Sequence, residues 1–181
     1  MSKWNQLANK ESVDKTIKAL KVNGIDAQFV ENGEKAKEEV LRLVPQGTEV
    51  MTMSSVTIQT IGLVEAIDGS GKYDAVKPKL MKMDRVTQGR EMQKLGAAPD
   101  WTIGSVHAVT EDGHVLIASN SGSQLQAYVY GASHVIWVVG AQKIVKNTDE
   151  GVKRIYEYVL PLEDARARKA YGIGSGVSKL L

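Results

Sequence analysis

Apolar residues recur along this chain in two rhythms, one of helices and one of strands. Val13, Ile17 and Leu20 stand four and three apart, which predicts a helix over about 11–23 with Gly24 as its left-handed stop. IDAQFV then alternates apolar and polar positions and predicts a strand ended by the turn pair Asn32 and Gly33. EKAKEEVLRLV returns to helical spacing through Ala36, Val40 and Leu43 and closes at Pro45, Gln46 and Gly47. EVMTM predicts the next strand. TIQTIGLVEAI predicts the next helix, with Ile58, Ile61 and Val64 on one stripe, and DGSGKYD is a loop by composition.

The second half keeps the alternation. A helix is expected over 85–95, ended by Gly96 and by Pro99 just beyond. WTIGSVHAV and HVLIAS flank TEDG, where Asp112 and Gly113 predict a two-residue hairpin that pairs His114 with Glu111 and His107 with Ala118. HVIWVVG is nearly continuous in apolar residues, as in a strand buried on both faces. Val152, Ile155 and Val159 mark a helix over 148–158 with Thr148 as its cap and two acids in the first turn. Strands alternating with helices predict an α/β fold: a mostly parallel central sheet, helices on both faces and one antiparallel hairpin. With no repeat and no linker, the chain reads as a single domain over 1–181, the N-terminal helix packed on it. The terminal VSKLL reads as a strand just beginning, which predicts that the natural fold continues further.

Composition narrows the chemistry. At 181 residues with 43% hydrophobic and 24% charged, the chain has the balance of a folded globular domain. A net charge of +2 gives no electrostatic argument for a nucleic-acid partner or an anionic membrane. The absence of cysteine excludes disulfides, thiolate metal sites, iron–sulfur ligation and cysteine nucleophiles on this chain. With no apolar leader at the start and no run of 18 apolar residues, the expected location is cytoplasmic.

Three clusters carry candidate chemistry. Ser54, Ser55 and Thr57 gather where a buried strand meets a helix, the position at which open α/β sheets bind anions. Helix capping by Ser55 is the plainer reading of the same residues. Glu111 and Asp112 sit at the hairpin tip; Asp112 with Gly113 makes the turn and leaves Glu111 available for acid/base work. Ser119, Asn120, Ser121, Gly122 and Ser123 form a donor-rich loop after the HVLIA strand, and a plain connection is the alternative. Gly104, at the end of WTIG, joins these as a candidate ligand contact. The three histidines are too dispersed to hold a metal together, and no G-x-S-x-G elbow is present.

EVMTMSSVTIQTIG, TIGSVHAVTEDGHVLIASNSGSQ and GASHVIWVVGAQKIV, in that order, resemble the lactate-utilisation (LUD) domain. Its hallmarks are a Gly/Ser-Ser-x-Thr loop, an Ala/Thr-Glu-x-Gly hairpin and a His-Ile/Val strand running to an Ile-Val segment. The resemblance covers about residues 5–181, and its order and spacing are more specific than any one piece. It implies the fold shared by ribose-5-phosphate isomerase, glucosamine-6-phosphate deaminase and the CoA transferases. It further implies that Ser54, Ser55 and Thr57 hold an anionic group. Glu111 matches the place of the hairpin acid of the isomerases and of the glutamate in the CoA transferases' Ser-Glu-Asn-Gly motif. Thr110 replaces that motif's serine, which puts a covalent thioester role in doubt.

The resulting expectation is a protein that binds a small anionic metabolite, linked to lactate or organic-acid utilisation, with no metal or iron–sulfur cluster of its own. Its partners would be copies of itself or the iron–sulfur proteins of a lactate-oxidising system, in which this chain is a non-catalytic subunit. An isomerase or CoA-transferase-like enzyme using Glu111 is the further alternative.

Overall fold

The computed structural model describes residues 2–181. In chain order the helices are α1 (Lys10–Val22), α2 (Gly33–Leu43), α3 (Val56–Thr60), α4 (Val76–Met81), α5 (Gly89–Ala97), α6 (Thr148–Arg154) and α7 (Leu160–Tyr171). The strands are β1 (Glu49–Thr52), β2 (Asp74–Ala75), β3 (Trp101–Gly104), β4 (Ala108–Thr110), β5 (Val115–Leu116), β6 (Ala118–Ser119), β7 (His134–Trp137), β8 (Ile144–Val145) and β9 (Lys179–Leu180). The fold is mixed α/β, with a parallel sheet, helices around it and an antiparallel hairpin, as the alternation of periods predicts. The chain divides into two compact units. One holds the chain up to Phe29, Val106–Gly122 and Val139–Leu181, and the other holds Val30–Ser105 and Ser123–Val138.

The second of these units contains the parallel sheet, in the order β2-β1-β3-β7. Its core joins Val40 and Val44 at the end of α2 to Val50 of β1, Ile103 of β3, and Ile58, Leu63 and Ile67. Each such burial contributes roughly 1.5–3 kcal/mol. α2 begins where Asn32 accepts a hydrogen bond from the Lys35 amide at 3.0 Å, so Asn32 and Gly33 start the helix instead of ending a strand. The helix expected over 57–67 breaks. Gly62 is left-handed at φ +69°, which ends α3 and redirects Leu63 and Ile67 into the core through a wide π turn at Glu65–Gly69. The helix expected over 85–95 begins at Gly89, because Asp84 first takes the amides of Val86 and Thr87 in a turn. Gly96 lies inside α5 and not at its end. β7 is an edge strand and only partly buried, so the apolar HVIWVVG run is not covered on both faces.

The hairpin unit has a three-stranded sheet, β5-β4-β8, and a two-stranded pair, β6-β9. Trp4, Ala108, Leu116, Val145 and Ile155 form its core. α1 ends in the motif its glycine predicts: Gly24 donates to the Lys21 carbonyl and Ile25 to that of Leu20. Asn147, one residue before the expected Thr148, caps α6 by accepting from the Glu150 amide. α6 continues through a π turn at Ile155–Val159 into α7. Gly151 lets α6 approach β5, since a Cβ there would stand 2.8 Å from Leu116 Cδ2. Residues 25–30 form no strand despite their alternation. No edge of the three sheets pairs with them, and the boundary between the units falls within them.

WTIGSVHAV is not one strand. WTIG is β3 of the parallel sheet, and AVT is β4 of the other unit. The hairpin register also differs by one from the expectation. Ala108 pairs with Leu116 and Val109 with Val115, so Glu111, Asp112 and Gly113 form a three-residue loop. The Gly113 amide donates to the Thr110 carbonyl, and Gly113 is left-handed at φ +88°, the turn-plus-bulge form of hairpin. A Cβ on Gly113 would stand 2.7 Å from the Ala19 carbonyl carbon, a second reason for glycine at this point.

Candidate functional site

β1 runs out at Thr52 into Met53, Ser54 and Ser55. From its carboxyl end the chain turns toward β2 on one side, whereas β3 leads on toward β7 on the other. The carboxyl ends of β1 and β3 are therefore the topological switch point of the sheet, where open α/β folds leave a crevice. Ser54 is exposed and Ser55 half-buried. Ser55 occupies the cap position of α3, yet its side chain makes no capping hydrogen bond. Neither serine hydroxyl has a hydrogen-bond partner among the described residues. Thr57 sits in the first turn of α3, half-buried.

Gly104, at the matching end of β3, is set by packing. A Cβ there would overlap the Tyr128 hydroxyl and stand 3.0 Å from Met53 Cβ. That hydroxyl donates to the Ser105 carbonyl at 3.4 Å, and burial pushes the Tyr128 phenol up. Ser105 Oγ donates to the Val138 carbonyl at 2.6 Å, tying the end of β3 to the end of β7.

Sequence periodicity gave no sign of Asp68. Thr52 Oγ1, at the end of β1, donates to Asp68 Oδ2 at 2.7 Å, while Oδ1 is buried without a partner. Burial raises the Asp68 carboxyl above the ordinary range, against the lowering pull of Thr52 and of Lys77. By composition this aspartate opens the DGSGKYD loop; the π turn carries it back over β1. The only sequence signal is a charged residue directly after Ile67 on the buried stripe.

Glu111 lies in the hairpin unit, half-buried and fully engaged. Ser12 Oγ donates to Oε1 at 2.8 Å and Lys15 Nζ to Oε2 at 2.9 Å, both from α1. Those two bonds, Lys15 first, hold the carboxyl below its ordinary value. Asp112 accepts from Thr110 Oγ1 and lies 3.1 Å from His114 Nδ1, so its chemistry is spent within the turn.

The 119–123 loop is held by the chain's own terminus. Ser178 Oγ donates to Asn120 Oδ1 at 3.0 Å, and Lys179 Nζ donates to the Asn120 carbonyl at 3.0 Å. β9 pairs Leu180 with Ala118 and Lys179 with Ser119. Gly122 is left-handed at φ +83°, and its amide donates to Ser119 Oγ at 2.9 Å. Ser121 and Gly122 fall in the hairpin unit and Ser123 in the parallel-sheet unit. Of the expected ligand residues, the parallel-sheet unit thus holds Ser54, Ser55, Thr57, Gly104 and Ser123; the hairpin unit holds Glu111, Asn120, Ser121 and Gly122.

Among the described residues no group of three or more His, Asp or Glu side chains is arranged to hold a metal ion, and no helix is long and apolar enough to cross a membrane. A mostly parallel open sheet with helices around it defines the class as an open-sheet α/β protein. The model of the LUD domain family matches residues 13–179, and the chain belongs to that family. Neither the curated proteins nor the solved structures compared with the chain contain a match.

Proposed function

We propose that this LUD-domain protein binds a small anionic metabolite at the carboxyl ends of β1 and β3, in a role linked to lactate or organic-acid utilisation. The observation that carries the reading is the pair of hydroxyls, Ser54 and Ser55, without partners among the described residues at the sheet's switch point. α3 has only five residues, so a helix dipole adds little, and hydroxyls and backbone amides must supply the donors. Asp68, two steps away through Thr52, is the acid of raised pKa nearest in connectivity to that loop. Its raised carboxyl suits it to hold a proton better than Glu111, whose carboxyl the Lys15 and Ser12 bonds hold below its ordinary value.

A thermal-shift panel of lactate and other organic acids, sugar phosphates, nucleotides and CoA esters tests the reading. The expected result is stabilisation by one anionic class, lost in the Ser54→Ala/Ser55→Ala double variant. No stabilisation by any class, in folded protein, sinks it. Stabilisation that survives the double substitution moves the site elsewhere. In the alternative role as a non-catalytic subunit, the chain co-purifies with cluster-bearing proteins and the double variant supports the complex's activity unchanged.

A further inference from the structure

Arg154 of α6 is 3% exposed, and no carboxylate among the described residues pairs with it. Its Nη1 donates to the His107 carbonyl, and its guanidinium carbon lies 5.3 Å from the Tyr158 ring centroid. Its Nε is buried with no hydrogen-bond partner. A buried cation lacking a counter-ion and one of its hydrogen bonds is costly to the fold, and natural sequences seldom retain one without use.

Two neighbours sharpen the point. Lys143 Nζ donates to the Val106 carbonyl at 2.9 Å, one residue before the carbonyl that Arg154 holds. Burial, with Arg154 adding repulsion, brings Lys143 down to about 8, so the ammonium remains charged at neutral pH. His107 Nδ1 accepts the Ala118 amide at 3.1 Å, which leaves the proton on Nε2. Burial, then Lys143 and Arg154, lower His107 to about 4, so at neutral pH it is a neutral donor. The acid that acts on His107 electrostatically is Glu163, and both its oxygens are taken by Arg166 at 2.6 and 2.7 Å. The cluster therefore contains two cations and a neutral N–H, while Glu163, the acid that acts on His107, is held by Arg166.

We propose that Arg154, Lys143 and His107 form an anion site within the hairpin unit, with Arg154 Nε as principal donor to one carboxylate or phosphate group. The guanidinium has the planar fork that matches either oxyanion, and Lys143 supplies a second positive charge. The site uses none of the residues of the proposed metabolite loop and stands or falls independently of it.

The test is an NMR titration of the full chain, following the Arg154 Nε–Hε resonance at neutral pH. Inorganic phosphate is added in one arm and lactate in the other, so that the two oxyanion chemistries are separated. A saturable shift of that resonance with one anion, retained in Ser54→Ala/Ser55→Ala protein, is expected. Lys143→Gln should weaken the response by about tenfold through loss of the second charge. Arg154→Lys, which keeps the charge but removes the guanidinium, should abolish the saturable shift that the His107 ring resonances, followed in parallel, show on binding. An unmoved Nε–Hε resonance at tens of millimolar of both anions overturns the proposal. So does a shift that disappears with the serine substitutions.

Discussion

Two loops in this protein have nearly the same chemistry and opposite fates. MSSVT after β1 and SNSGS after β6 each offer serines behind a strand. In the second, Asn120 is gripped by Ser178 and Lys179, Ser119 accepts from Gly122, and β9 pairs alongside. In the first, the hydroxyls of Ser54 and Ser55 find no partner among the described residues, and the Ser55 side chain makes no capping bond to α3. Donor-rich composition thus marks where polar groups are needed and does not say who satisfies them. A loop satisfied internally is structural, and one left open at a switch point is where a ligand can supply the missing partner.

The comparison can be broken at four points. The largest effect is expected from Gly104→Ala, which sets a methyl against the Tyr128 hydroxyl and Met53 beside the open loop. Overpacking there should cost about 2–3 kcal/mol in chemical denaturation. If the loss is negligible, the wall beside the open loop is softer than its packing implies.

Next is the imidazole that holds the Ala118 amide, where the closed loop begins. Folded His107 stays neutral down to about 4, whereas the unfolded chain's imidazole takes a proton below its ordinary value of 6.5. Stability is therefore full above the unfolded value and falls as pH drops from there toward the folded one, by about 2–3 kcal/mol. His107→Asn, which keeps an acceptor and does not titrate, should flatten that part of the stability–pH curve. An unchanged slope would remove His107 as its cause.

Gly122→Ala follows, forcing a left-handed alanine whose Cβ would stand 2.9 Å from Lys179 Cδ. A loss of about 1 kcal/mol, with faster proteolysis of the terminal segment, is expected. Smallest is Ser54→Ala/Ser55→Ala, which should change stability by less than about 0.5 kcal/mol. Loss of a true cap would cost about 1 kcal/mol, so urea denaturation separates the two readings.

Much of the fold was legible in the chain. α1 with its glycine stop, α2, β1 and the helix after Asn147 all follow local periodicity and capping chemistry, which depend on neighbours a few residues away. The failures share one cause. IDAQFV has strand alternation but no edge to pair with, and WTIGSVHAV has strand character throughout yet divides between two sheets. Pairing partners lie far away in sequence, so periodicity can name a strand and cannot place it.

The candidate chemistry divides along the same line. The sequence by itself determined the family, the α/β class, and the presence of hydroxyl-rich turns and a hairpin glutamate, because these are matters of residue order and local spacing. Only the tertiary structure decided which of those groups were already engaged. It brought Lys15 and Ser12 to Glu111 across almost a hundred residues, β9 to Asn120, and Asp68 back over Thr52. It also buried Arg154 without a paired carboxylate among the described residues. Whether a polar side chain is free to act depends on what long-range packing sets against it, and that information is not local.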